Sequence, residues 1–203
     1  MAEALQTFEY RGVDNLVYAE VTEDTAENFT FGPVKPLSPV ATISKSTESS
    51  SEAHYYDNLP LLTVDMEGAD EIGITMAPPH LETLADILGK TFDADTGMMV
   101  DGERKKKYFA IGYRTKGTDG KYRYVWRLKG TFSIPEETNE TENDGTDTTN
   151  TELTYTGIST THKFTKGGSA KGIIVDERYG KADLNGFFDT VQTPDTVKAA
   201  TTV

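Results

Sequence analysis

Short runs in which apolar and polar residues alternate recur along this chain, and a helical period appears only once. A period of two places the apolar side chains on one face of a strand, so a chain built from such runs must cover or close its sheets. Leu62, Val64 and Met66 alternate with Thr63, Asp65 and Glu67, and Ile72, Ile74 and Met76 follow, alternating with Gly73 and Thr75. Glu67-Gly68-Ala69-Asp70 between the two runs reads as a hairpin turn. On that reading Leu62, Val64 and Met66 face the core, and Thr63, Asp65 and Glu67 face away from it. Phe109, Ile111 and Tyr113 alternate with Ala110 and Gly112, while Tyr122, Tyr124, Trp126 and Leu128 alternate with Arg123, Val125 and Arg127. Asp119-Gly120 between these two runs is a second hairpin-turn signal. Further strands are expected over 15–21, 130–134, 153–161, 172–176 and 184–191. The single helix is expected at about 79–88, where Leu81, Leu84, Ala85 and Leu88 fall at i, i+3, i+4 and i+7. Prolines precede it and Gly89 is placed to end it.

The expectation is therefore a mainly β chain, folded as one domain over its 203 residues. With no cysteine, disulfides and thiolate metal ligands are excluded. No signal peptide is expected from the acid-containing first 30 residues, and no apolar run approaches the roughly 20 residues of a membrane helix.

The chain carries 20 basic and 33 acidic residues, a net charge of −13. Stable binding to nucleic acid rests on neutralising phosphates, so this balance argues against it. The charge is uneven: residues 101–129 hold ten bases against three acids. Such a segment reads either as solvated strand faces or as a basic surface that docks the acidic surface of another copy.

Catalytic constellations are missing. His54, His80 and His162 stand far apart and none has a metal-ligand spacing. Gly167-Gly168-Ser169-Ala170-Lys171-Gly172 lacks the Gly-Lys-Ser/Thr ending of a phosphate loop and reads as a turn. Asp93-Ala94-Asp95-Thr96-Gly97 has its glycine one position early for a calcium loop and also reads as a turn. The expectation is a non-enzymatic protein without cofactor or metal. Two segments look unable to build core: Ser/Thr/Pro-rich residues 33–52, and 135–151, which hold six acids and no base. Contacts with a neighbouring subunit are a simple way to order them.

The order "AHYYDN", a hairpin, "LETLADILGK", "TGMMVDGE", "KKYFAIGYRTKGTDGKYRYVWRLKGTFSIPEE" and "TELTYTGIS" resembles the major tail proteins of long-tailed phages with non-contractile tails. The resemblance runs over about residues 13–191. Its most specific pieces are Tyr56-Asp57-Asn58, Leu88-Gly89, Tyr108 to Tyr113 and Tyr124 to Pro135. It implies a β-sandwich or barrel-like tail-tube fold with one flanking helix, in a single domain. Six such subunits form a ring, and rings stack into a tube through which the genome passes into the host.

The resemblance further implies a long assembly loop at 33–58, an N-terminal arm at 1–12 and a C-terminal arm at 190–203. Lys45, Glu48, Glu52, His54, Tyr55, Tyr56 and Asp57 become candidates for contacts between subunits. Thr63, Asp65 and Glu67 become candidates for the lumen, where acids let DNA slide rather than bind. Other copies of the chain, a tape-measure protein, and tail terminator and distal tail proteins are the implied partners, with no membrane. DNA is expected only in transient, non-specific passage. The implied location is the virion tail, and the host cytoplasm during assembly. Two other classes fit a β-rich acidic chain: a virion decoration or adhesion module, and a carbohydrate-binding β-sandwich. The second needs an exposed aromatic platform, whereas Tyr122, Tyr124 and Trp126 share one strand face and read as core.

Overall fold

A computed structural model describes residues 7–136 and 150–200. In chain order the elements are β1 (Tyr10–Asp24), β2 (Phe29–Phe31), β3 (Lys35–Pro36), β4 (Val40–Tyr56), β5 (Leu59–Met76), α1 (Leu81–Leu88), β6 (Thr91–Asp93), β7 (Met98–Val100), β8 (Phe109–Gly117), β9 (Tyr122–Phe132), β10 (Thr151–Gly157) and β11 (Gly172–Asp176). A short 3-10 turn, Glu177–Tyr179, follows β11. The fold is mainly β, with one α-helix among the described residues. Nine strands make one antiparallel sheet in the order β2-β1-β8-β9-β10-β5-β4, with β3 also on β1 and β11 also on β9. The hairpin β6-β7 stands apart. β10 and β11 share one edge of β9, β11 along Arg123 to Arg127 and β10 along Gly130 to Phe132.

The central strands are buried on both faces. Leu16 and Tyr18 of β1, Phe109, Ile111 and Tyr113 of β8, and Val125 of β9 point into one core with Ile72, Ile74, Met76, Leu153, Tyr155 and the helix residues Ile87 and Leu88. Val17 and Ala19, Ala110, Trp126 and Leu128 point into a second core, covered by Phe164, Phe187 and Val191 from the chain after β10. Two bulges re-aim side chains between the cores. In β1, two residues, Asn15 and Leu16, stand opposite Tyr113. Asn15 takes φ 56°, a conformation asparagine tolerates better than most residues. In β9, Leu128 and Lys129 stand opposite Ala110. Phe132 therefore enters the first core although Trp126 and Leu128, at the same parity, enter the second.

The helix forms close to where its period places it. Ala85, Ile87 and Leu88 are buried, while Leu81 is 42 % exposed. Gly89 ends it in the left-handed conformation, its N–H donating to the Asp86 carbonyl and the Lys90 N–H to that of Ala85. A Cβ on Gly89 would fall 2.0 Å from the Lys105 carbonyl oxygen, so glycine is required here by space as well as by φ. Asp86 turns back to the sheet and accepts hydrogen bonds from the Tyr18 hydroxyl (3.0 Å), Lys35 (2.8 Å) and Lys107 (3.0 Å).

Several expectations need correction. Residues 33–58 are not an isolated loop: β3 pairs with β1, Leu37 is buried, Val40 and Ile43 pack on the first core, and 40–56 form one strand paired along its length with β5. Glu67-Gly68-Ala69-Asp70 is not a turn, because β5 runs unbroken from Leu59 to Met76. Its glycine marks a bulge, in which Gly68 and Ala69 together face Glu48. Leu62, Val64 and Met66 are not core residues; they are 53, 43 and 67 % exposed. Residues 184–191 form turns rather than a strand, although Phe187 and Val191 are buried. Of the acidic segment 135–151, residues 137–149 lie outside the described residues, as do 1–6 and 201–203 of the terminal arms.

Trp126, fully buried in the second core, is the sharpest test of this packing. Trp126→Ala is expected to cost about 3–5 kcal/mol in denaturant unfolding, whereas Ile174→Ala, at a 56 % exposed position, is expected to stay within about 0.5 kcal/mol of wild type.

Candidate assembly surface

Beyond the Gly68-Ala69 bulge, β4 and β5 leave the body as a hairpin arm. Every residue from 48 to 68 is exposed; among the described residues this stretch pairs with itself and meets the body only at its root. The nine residues from Leu59 to Glu67, at about 3.4 Å each, project roughly 30 Å. Asp57 and Asn58 close the tip in left-handed conformations, φ 49° and 61°, between the partners Tyr56 and Leu59. Two positive φ values are what a two-residue turn of the primed type requires, and Asp-Asn supplies them without glycine. Tyr55, Tyr56, Leu59 and Leu61 crowd the tip and are all more than half exposed.

Register separates the arm into two faces. Ser49 pairs with Glu67, Ser51 with Asp65 and Ala53 with Thr63, and these continue the side occupied by Thr47 and Asp70. Ser50 pairs with Met66, Glu52 with Val64 and His54 with Leu62 on the opposite side. The bulge thus exchanges the faces that plain alternation assigns: the row Thr63, Asp65, Glu67 lines up with the core side of the body, and Leu62, Val64 and Met66 form an apolar row facing water. The arm from Glu48 to Glu67 carries five acids and neither lysine nor arginine.

Asp70, 2 % exposed, holds the root of the arm. It accepts from the Thr47 hydroxyl (2.8 Å) and pairs with Lys45 (3.1 Å), Lys171 (3.5 Å) and Arg127 (3.5 Å). Lys171 also reaches past the bulge to the Glu67 carboxylate (2.7 Å) and the Gly68 carbonyl (2.5 Å). Burial pushes the Asp70 carboxyl up, but the hydrogen bonds from Thr47 and Lys45 and the charges of Lys45 and Lys171 outweigh it, holding the group below the ordinary aspartate range.

The sequence-derived candidates are therefore gathered on one element. Glu48, Glu52, His54, Tyr55, Tyr56 and Asp57 lie on the arm with Thr63, Asp65 and Glu67, while Lys45 lies at its root. Asp70, Lys171 and Arg127 were missed. Lys171 and Arg127 are roughly 100 and 57 positions from Glu67 and Asp70, and nothing local in the sequence marks their convergence.

Half of the ten bases in the basic segment pair with acids of their own chain, Arg127 with Asp70 as above. Lys107 pairs with Glu20 and Asp86, Arg114 with Asp14, Arg123 with Asp176, and Lys129 with Asp24. The described part of the N-terminal arm also folds back. Tyr10 and Gly12 pair with β8, and the Arg178 guanidinium lies 3.5 Å from the centre of the Phe8 ring. At the other end Val191 and Thr193 are buried and the Ala200 N–H donates to the Lys181 carbonyl. Tyr122 and Tyr124 are half-buried and Trp126 buried, so they present no aromatic platform. Among the described residues no cluster of three or more histidine or carboxylate side chains is arranged to hold a metal, and no helix is long and apolar enough to cross a membrane. The sequence matches no protein-family model and no curated protein.

Asp70→Asn should destabilise the fold by about 3–5 kcal/mol, because it leaves buried cations without their carboxylate. Since the folded group titrates below the unfolded one, its contribution is complete well above the ordinary aspartate value of about 3.9 and is lost as the pH falls through and below it. Unfolding free energies measured from pH 7 down to 3 should therefore fall more steeply at the acid end in wild type than in Asp70→Asn.

Proposed function

We propose that this chain is the structural subunit of a phage tail tube, polymerising as stacked hexameric rings into a conduit for genome delivery. The observation that carries the reading is the arm: about twenty consecutive exposed residues with one apolar row and an aromatic tip that, beyond its root, is covered by none of the described residues. Exposed apolar rows and unpaired strand edges are liabilities for a monomer and are relieved by docking on another copy. The order of motifs shared with tail tube proteins supports the same reading, and the two-core, single-helix packing is compatible with a barrel-like or sandwich subunit. In a ring, the Leu62, Val64 and Met66 row is covered by a neighbour. Thr63, Asp65 and Glu67 then stay wet and present acids toward the path of the DNA. Net negative charge serves passage because it does not retain phosphates. The tape-measure protein fills the tube before infection, terminator and distal tail proteins close its ends, and the assembled subunit resides in the virion after assembly in the host cytoplasm.

Sedimentation velocity across a concentration series, with negative-stain imaging of the fractions, tests this directly. Rings or hollow tubes are expected. A species that stays monomeric throughout, together with its absence from tubes in phage particles, overturns the reading. Replacing residues 51–65 by Asn-Gly shortens the arm at the register pair Ser50–Met66 while leaving the body intact; a folded monomer that no longer assembles is expected. Asp65→Lys should leave the melting temperature nearly unchanged, because an exposed charge contributes little to stability, and should slow DNA ejection from assembled tails. Ejection at the wild-type rate removes Asp65 from the lumen.

A further inference from the structure

We propose that the arm tip docks in a shallow apolar groove of a second copy of this chain, where β11 meets the Glu177–Tyr179 turn. The inference rests on the assembly reading and names the acceptor for the arm. The groove encloses about 480 Å³ and is floored by Ile174, Val175 and Ala182, flanked by Tyr179, with Arg123 and Lys181 at its rim. Ile174 and Tyr179 are 56 and 76 % exposed, a large apolar area for a position beside a sheet. β11 pairs only with β9 among the described strands, so no strand covers its outer edge.

Charge selects the occupant. Asp176, the acid in the groove, is already bound by Arg123 (2.9 Å) and Arg178 (2.9 Å). Lys181, by contrast, has no ion-pair partner among the described residues, although its carbonyl accepts from the Ala200 N–H. The groove thus offers apolar surface beside an uncommitted cation. The arm offers the complement: Tyr55, Tyr56, Leu59 and Leu61 at the tip, with Asp57 in the turn and no lysine or arginine from Glu48 to Glu67. The arm of the same chain does not fill the site, since it is exposed from 48 to 68 and none of its residues lines the groove. The occupant is therefore the arm of another molecule, and a contact of this kind propagates because every copy carries both parts.

The absence of cysteine makes the test clean. Full-length Tyr56→Cys and Tyr179→Cys chains are mixed under assembly conditions and oxidised. A disulfide-linked pair containing one of each is expected, and a pair of Tyr56→Cys with Lys163→Cys, an exposed position away from the groove, is not. Ile174→Asp should leave the monomer's melting temperature unchanged and raise the concentration needed for assembly at least tenfold. If assembly depends on the arm yet Tyr56→Cys does not link to Tyr179→Cys and Ile174→Asp assembles as wild type, the groove is not the acceptor and the assembly reading stands. A specific Tyr56–Tyr179 link in a species that forms neither ring nor tube supports the groove and overturns the tube. A chain that never self-associates overturns both.

Discussion

Where the arm leaves the body, one buried carboxylate is held by a hydroxyl and three cations from separate parts of the chain. Asp70 lies at the end of the β5–β10 pairing, opposite Gly157, and beside the bulge at which β5 changes from a core strand into an exposed one. Thr47 and Lys45 tie it to β4, Arg127 to β9, and Lys171 to the segment entering β11. A charge this buried is tolerated only when it is paired and hydrogen-bonded, so these four groups are conditions of one another's burial. Lys171 extends the arrangement across the bulge by holding Glu67 and the Gly68 carbonyl. The direction in which the arm departs is thereby fixed by the body rather than by the arm's own residues.

Bulges do similar work elsewhere in the sheet. Alternation alone gives β1, β8 and β9 one face toward each core; the bulges at Asn15-Leu16 and Leu128-Lys129 change which residues take which face, so that Phe132 joins the first core. The middle strands are covered by the helix and β4–β5 on one side and by the chain after β10 on the other. With its centre buried on both faces, the sheet is a rigid base from which a 30 Å hairpin of little intrinsic stability projects. Isolated two-stranded hairpins are marginal in water, so continuity with the sheet holds this one in register.

Charge follows the same division. Five of the ten bases in residues 101–129, Lys107, Arg114, Arg123, Arg127 and Lys129, meet acids contributed by β1, α1, β5 and β11. The arm receives no such compensation apart from Lys171 at its root. An acidic arm and a groove with Lys181 uncommitted are complementary between copies, which fits the proposed docking of one on the other.

Local signals settled most of the elements. The helix is legible because its period and Gly89 agree, β8 and β9 because alternation and the Asp119-Gly120 turn agree, and the two glycine-bearing turns because no helix or ligand set follows them. The arm was not legible, for a specific reason. Gly68 is a turn residue and a bulge residue alike, and only the pairing partner distinguishes them: with the long β4 opposite, two residues face Glu48 and the strand continues. Once the turn is assumed, alternation sends Leu62, Val64 and Met66 to the core, whereas they lie beyond it. Residues 40–56 likewise read as loop because their serines and charged residues carry weak strand signals, and their pairing comes from β5, not from their own composition. The sequence by itself determined the β-rich class, the single helix, the exclusion of cysteine chemistry and the acidic balance, all of which depend on residues taken singly or within a few positions. Tertiary structure alone decided which apolar rows are buried and where Asp70 finds its cations, because these depend on partners up to about a hundred residues away.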